Sequence, residues 1–145
     1  MPEIDGTTMI SGPITRWTSA PTQHLRVRGE SFAYRDLGVD SGRPPIVLLA
    51  HLGATLDEWD PRVVEALAEG RRVIAVDLPG IGSSTGNVPR TIKGMAGAAR
   101  AFISELGLTR IDLMGFSLGG FVAQQVTLDA PKLVRRLVLA GTGPA

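Results

Sequence analysis

The run Ile111-Asp112-Leu113-Met114-Gly115-Phe116-Ser117-Leu118-Gly119-Gly120-Phe121-Val122-Ala123-Gln124-Gln125-Val126 decides how this chain is read. An apolar segment leads into a glycine-bracketed turn, and the turn leads into a segment that reads as a helix. The turn contains Gly-x-Ser-x-Gly, the pattern in which a serine sits on a strained elbow with its hydroxyl pushed out above a sheet. Gly115 and Gly119 have a steric task, because a side chain at either would collide with a neighbouring strand or helix. Leu118 contributes a backbone N–H that has no intrahelical partner at a helix start and can therefore face a developing oxyanion.

Upstream of the elbow, strand and helix patterns alternate. Leu25, Val27, Phe32 and Tyr34 alternate with polar residues across the turn Arg28-Gly29-Glu30, which predicts two antiparallel edge strands. Pro45–Ala50 is a continuous apolar run of the kind that fills a central parallel strand. Asp60-Pro61 opens a helix carrying Val63, Val64 and Leu67 on one face, and Gly70 closes it. Arg72–Asp77 is the next strand, and Leu78–Arg90 is a glycine-rich loop. Thr91 caps a helix in which Ile92, Met95, Ala99, Phe102, Ile103 and Leu106 recur at helical spacing. The elbow helix stops before Ala130-Pro131, and Arg136–Ala140 is a sixth strand. This order predicts an α/β fold, a mostly parallel sheet with helices on both faces.

With 145 residues, 43% of them hydrophobic, the chain is long enough for one domain with a real core. Residues 1–22, rich in Thr, Ser, Pro and Gly and anchored by Trp17, read as a flexible arm, and 23–145 as the domain. A net charge of +1 gives no electrostatic reason to expect nucleic acid or an anionic membrane. The absence of cysteine removes disulfides, thiolate metal sites and a cysteine nucleophile. The start Met1-Pro2-Glu3-Ile4-Asp5 has neither a basic region nor an apolar stretch behind it, so the expectation is a cytoplasmic protein without signal peptide or membrane span.

His51-Leu52-Gly53-Ala54 follows the third strand, at the carboxyl end where ligands gather in open α/β sheets. Its N–H groups, at Leu52 or Gly53, are candidates for a second oxyanion donor. His51 itself is a candidate base, although a histidine at a strand end more often bonds loop backbone. His24, on the first strand, is read as structural. Asp77–Gly86 holds three glycines in the spacing Gly-x-Gly-x-x-x-Gly, interrupted by Pro79 and with no helix starting at its third glycine, so no dinucleotide cofactor is expected. No metal-ligating cluster is visible either.

Together, His51-Leu52-Gly53, Asp57-Glu58-Trp59-Asp60-Pro61, Asp77-Leu78-Pro79-Gly80-Ile81-Gly82-Ser83-Ser84, the elbow Gly115–Gly120, and Leu137-Val138-Leu139-Ala140-Gly141-Thr142 resemble the α/β-hydrolase family over roughly residues 24–145. The resemblance implies Ser117 as nucleophile, the Leu118 N–H as oxyanion donor, and esterase, lipase, haloperoxidase-like or carbon–carbon hydrolase chemistry on a small acyl substrate. In the family the triad runs serine, acid, histidine along the chain. Here no histidine follows His51, and Ala140-Gly141-Thr142-Gly143 stands where the acid is expected. The lid and last strands of the family pattern are likewise not in the sequence. The expectation is therefore a truncated hydrolase core with a nucleophile, an oxyanion hole and weak or no autonomous activity. The alternative is a non-catalytic α/β module. In either case Leu137-Val138-Leu139 is expected to form an open apolar edge that pairs with a second copy, giving a homodimer or higher homo-oligomer.

Overall fold

Side chains that alternate between the two faces of a six-stranded sheet set two cores, one on either face. The computed structural model describes residues 16–144; most of the arm expected over 1–22 lies outside the described residues. The strands are β1 (Gln23–Val27), β2 (Glu30–Leu37), β3 (Ile46–Leu49), β4 (Val73–Val76), β5 (Ile111–Phe116) and β6 (Val134–Ala140). Their order across the sheet is β1-β2-β4-β3-β5-β6. The β4-β3-β5-β6 block is parallel, while β1 and β2 form an antiparallel hairpin whose second strand also pairs antiparallel with β4. Of the two strands expected at the edge, only β1 is outermost, because the register of β2 on β4 carries it inside.

The helices are α1 (Pro61–Leu67), α2 (Ile92–Glu105) and α3 (Leu118–Asp129). On the central strand β3, Ile46 and Leu48 face the core that takes Val64 of α1, and Val47 and Leu49 face the core under α2 and α3. That two-residue alternation is what lets one short strand serve both layers. Phe102 of α2 stacks on Phe32 at 5.9 Å and meets Tyr34 edge-on at 5.4 Å. Trp17 is 2% exposed and packs in the α1 core, with Arg35 stacked on its ring. Val63, expected on the buried face of α1, is instead 42% exposed and borders a surface cavity.

Helices α1 and α2 begin where the sequence places a cap. The Asp60 carboxylate accepts the Arg62 N–H ahead of Pro61, and the Thr91 hydroxyl accepts the Gly94 N–H. Asp112, read within an apolar strand, is a buried charge at the amino end of β5. Its carboxylate meets the Arg71 and Arg135 guanidiniums, each at 2.7 Å. β6 forms the far edge of the sheet, and Val138 and Leu139 on it are 45% and 43% exposed.

Candidate active site

Strand β5 ends at Phe116 and α3 begins at Leu118, so the direction of the chain reverses over Ser117 alone. Ser117 takes φ 53°, ψ −115°, a conformation that L-residues rarely occupy. A Cβ at Gly115 would run into the Gly119 carbonyl, and one at Gly119 into the Leu49 carbonyl. Both glycines are therefore required by close backbone approach: the first helical turn of α3 lies directly on the end of β3. The Ser117 hydroxyl makes no capping bond to its own helix. The N-terminal turn of the helix places N–H groups and the positive end of its dipole at this spot.

The end of β3 runs into the turn His51–Ala54, closed by the Ala54 N–H donating to the His51 carbonyl at 3.1 Å. Gly53 sits at φ 71° in it. Because β3 is next to β5, this turn stands beside the elbow: Leu52 and Gly53 line the same cavity, of about 50 Å³, as Leu118 and Gly119. The three residues singled out as candidate oxyanion donors, Leu118, Leu52 and Gly53, are thus brought together. His51 borders that cavity and also a larger one of about 240 Å³, bounded by Trp59, Met114 and Phe116. Its ring stands edge-on to Phe116, centroids 5.4 Å apart. His24 is on β1 at the outer edge of the sheet, its Nδ1 3.3 Å from the Ser31 hydroxyl.

Asp77, read from the sequence only as the end of a strand, joins two loops beside the site. It is 4% exposed at the end of β4, and its carboxylate accepts the Leu56 N–H at 3.0 Å and the Ser83 N–H at 3.4 Å. One carboxylate thereby ties the segment after the His51 turn to the glycine-rich loop. Gly82, at φ 52°, allows that approach, since a Cβ there would strike the Asp77 carboxylate. Burial pushes the Asp77 carboxyl above the usual range, and the two backbone N–H groups oppose this only in part. The available signal was a lone acid ending a buried apolar run. The loop after Asp77 folds back on the hairpin: the Thr85 N–H donates to the Ser31 carbonyl at 2.9 Å, and Ser84 Oγ accepts the Ala33 N–H at 2.8 Å.

Among the described residues no group of three or more His, Cys, Asp or Glu is placed to hold a metal ion, and no helix is long and apolar enough to cross a membrane. Such an elbow, with strained serine, helix-start amides and a facing amide turn, is suited to attack on a carbonyl and to holding the negative oxygen that results.

A family model described as alpha/beta hydrolase fold matches residues 44–145. A solved alpha/beta hydrolase fold protein from Chitinophaga pinensis superposes with a TM-score of 0.87 at 38% identity, covering 89% of this chain and 46% of that one. A protein of Agrobacterium fabrum named for a carbamate hydrolase activity is 35% identical over 80% of this chain and 42% of its own length. A poly(3-hydroxyalkanoate) depolymerase of Ectopseudomonas oleovorans is 36% identical over 72% of this chain and 38% of its own. The chain thus spans about two fifths of the curated relatives it matches.

Proposed function

The chain belongs to the alpha/beta hydrolase fold family, and from that premise we propose that it acts as a serine-nucleophile hydrolase on an ester or related acyl compound. Ser117 Oγ attacks the carbonyl carbon and its proton passes to a base. The carbonyl oxygen, now negative, is held by the Leu118 N–H and by that of Leu52 or Gly53. The bond to the leaving group breaks as the base passes it the proton, and water then attacks the acyl carbon, giving its proton back to Ser117 Oγ by way of the base and releasing the acyl group as an acid. The observation that carries this reading is the placement of a strained Ser117 between β5 and α3, with Leu118 sharing a cavity with Leu52 and Gly53.

The base is the weakest part of the site. His51 is the histidine on this end of the sheet, and among the described residues no hydrogen bond joins a histidine to a carboxylate. A histidine without an acid partner is not fixed in one tautomer or orientation, which costs rate rather than binding. The reading therefore expects slow turnover by this chain, with Ser117 nonetheless reactive toward an irreversible phosphorylating reagent. The related proteins' names supply a range of substrates, esters and carbamates among them, and the two apolar cavities flanking His51 suit a compound with an apolar group on each side of its carbonyl.

Incubation with a fluorophosphonate probe, followed by peptide mass spectrometry, tests the proposal. Label is expected on Ser117 and absent in Ser117→Ala. A folded chain that takes no label over hours would overturn the activated-nucleophile reading.

A further inference from the structure

The elbow is held from outside itself, by the end of β6 and the residues that follow it. Thr142 Oγ1 donates to the Ser117 carbonyl at 2.8 Å, and the Ser117 N–H donates to the Ala140 carbonyl at 3.0 Å. Both backbone polar groups of the strained residue are thus bonded to residues at, or just past, the end of a different strand. The Thr142 side chain packs on Gly120, where a Cβ would collide with it. One helical turn further on, Gln124 Nε2 donates to the Gly143 carbonyl at 2.8 Å and, within α3, to the Gly120 carbonyl at 3.2 Å, so the same short segment is also fastened to the body of the helix. A residue in a sparsely populated backbone region persists only where its surroundings over-determine it. Of the two donors to the Ser117 carbonyl, the Gly120 N–H is 2.9 Å away inside the helix itself. The Thr142 hydroxyl is the one supplied from elsewhere in the chain.

We propose that Thr142 is a positioning residue for Ser117: its hydroxyl, bonded to the elbow carbonyl, holds the strained backbone so that the Ser117 hydroxyl and the Leu118 N–H stay aimed over the carboxyl end of the sheet. As a statement about reactivity this rests on Ser117 being the nucleophile. As a statement about the elbow's conformation it does not. Thr142 touches no reacting atom; it acts through the carbonyl of the residue that does.

The 145-residue chain is compared with Thr142→Val, which keeps the shape and removes the hydroxyl, and Thr142→Ser, which keeps the hydroxyl. Thr142→Ala serves as a second hydroxyl-free variant should the valine not fold. The rate of fluorophosphonate labelling at Ser117 is expected to fall on the order of tenfold in the hydroxyl-free variant and to return to within about twofold of wild type in Thr142→Ser. Labelling as fast without the hydroxyl as with it overturns the inference. So does equal slowing in the serine variant, which would assign the effect to packing of the methyl group. Should the wild-type chain take no label, the nucleophile reading fails by itself, and amide hydrogen exchange over residues 116–121 then decides the inference. Exchange about tenfold faster without the hydroxyl, restored by serine, upholds it; unchanged exchange overturns it.

Discussion

At the amino end of the sheet Asp112 lies 2% exposed between two guanidiniums, whereas at the carboxyl end Asp77, 4% exposed, is held by backbone N–H groups. Burial is equal and the consequence is opposite. The Arg135 and Arg71 hydrogen bonds outweigh desolvation and bring the Asp112 carboxyl down to about 2, while desolvation wins at Asp77 and lifts its carboxyl. The strained serine, the positive-φ turn at Gly53 and the small cavity are at the same end as Asp77. At one end of the sheet the buried carboxylate is paired with two guanidiniums and clamps β5, β6 and the start of β3, since Arg71 also donates to the Pro44 carbonyl at 2.6 Å. The other end is left under-compensated where chemistry is proposed.

The largest expected effect tests the paired end. Asp112→Asn leaves two guanidiniums facing a neutral amide. Removing one partner of a buried ion cluster costs about 3 kcal/mol, the low end of the usual range because Arg135 remains 26% exposed. Urea unfolding at pH 7 measures it, and a loss below about 1 kcal/mol would mean that the amino end is not the clamp described here.

Next in size is the pH dependence, in which the two carboxylates pull in opposite directions. Asp112 titrates near 2 when folded against 3.8 ordinarily, so the unfolded chain binds more protons between those values. Its contribution, about 2 kcal/mol, is present above pH 4 and is lost as the pH falls toward 2. Asp77 has a raised folded value, so the folded chain binds more protons just above the ordinary carboxylate range, and stability there falls as pH rises. Asp77→Asn keeps an acceptor for the Leu56 N–H and removes that descending slope, with stability at pH 7 within about 1 kcal/mol of wild type. Chemical unfolding from pH 4 to 7 distinguishes the cases: a variant curve parallel to wild type would show that Asp77 is not the group being titrated.

The same contrast explains what could be read from the residues alone. Apolar runs, caps and the glycine-bracketed serine are local signals, and they placed the helices and the elbow within a few residues. Hydrophobic periodicity says nothing about a single charge inside a run, so Asp112 was invisible: its partners Arg71 and Arg135 lie 41 and 23 residues away in sequence. Thr142 belongs to the sixth-strand motif, yet its bond to Ser117 spans 25 residues and depends on β6 lying beside β5. Sheet order was also hidden, because β2 becomes internal only through its register on β4. Long-range polar contacts follow from topology, and topology is settled by packing rather than by local pattern.

The smallest expected effect has an unusual sign and tests whether the carboxyl end stores strain. Among the described residues two non-glycine residues have positive φ, Arg28 at 50° and Ser117 at 53°. Arg28 precedes Gly29, at φ 84°, in a two-residue hairpin turn whose twist suits the flanking strands. Glycine at position 28 would recover about 1 kcal/mol of left-handed cost and lose about as much to unfolded-chain entropy, so Arg28→Gly is expected to be near neutral. Ser117 has ψ −115°, outside the ordinary left-handed region, where the cost is about 1 to 3 kcal/mol. Its side chain makes no capping bond, so little is lost with it. Ser117→Gly should therefore gain about 1 kcal/mol net and raise Tm by about 3 °C, while abolishing probe labelling. A thermal melt that drops by a similar amount would show the elbow to be relaxed, and would remove strain from what separates the two ends of the sheet.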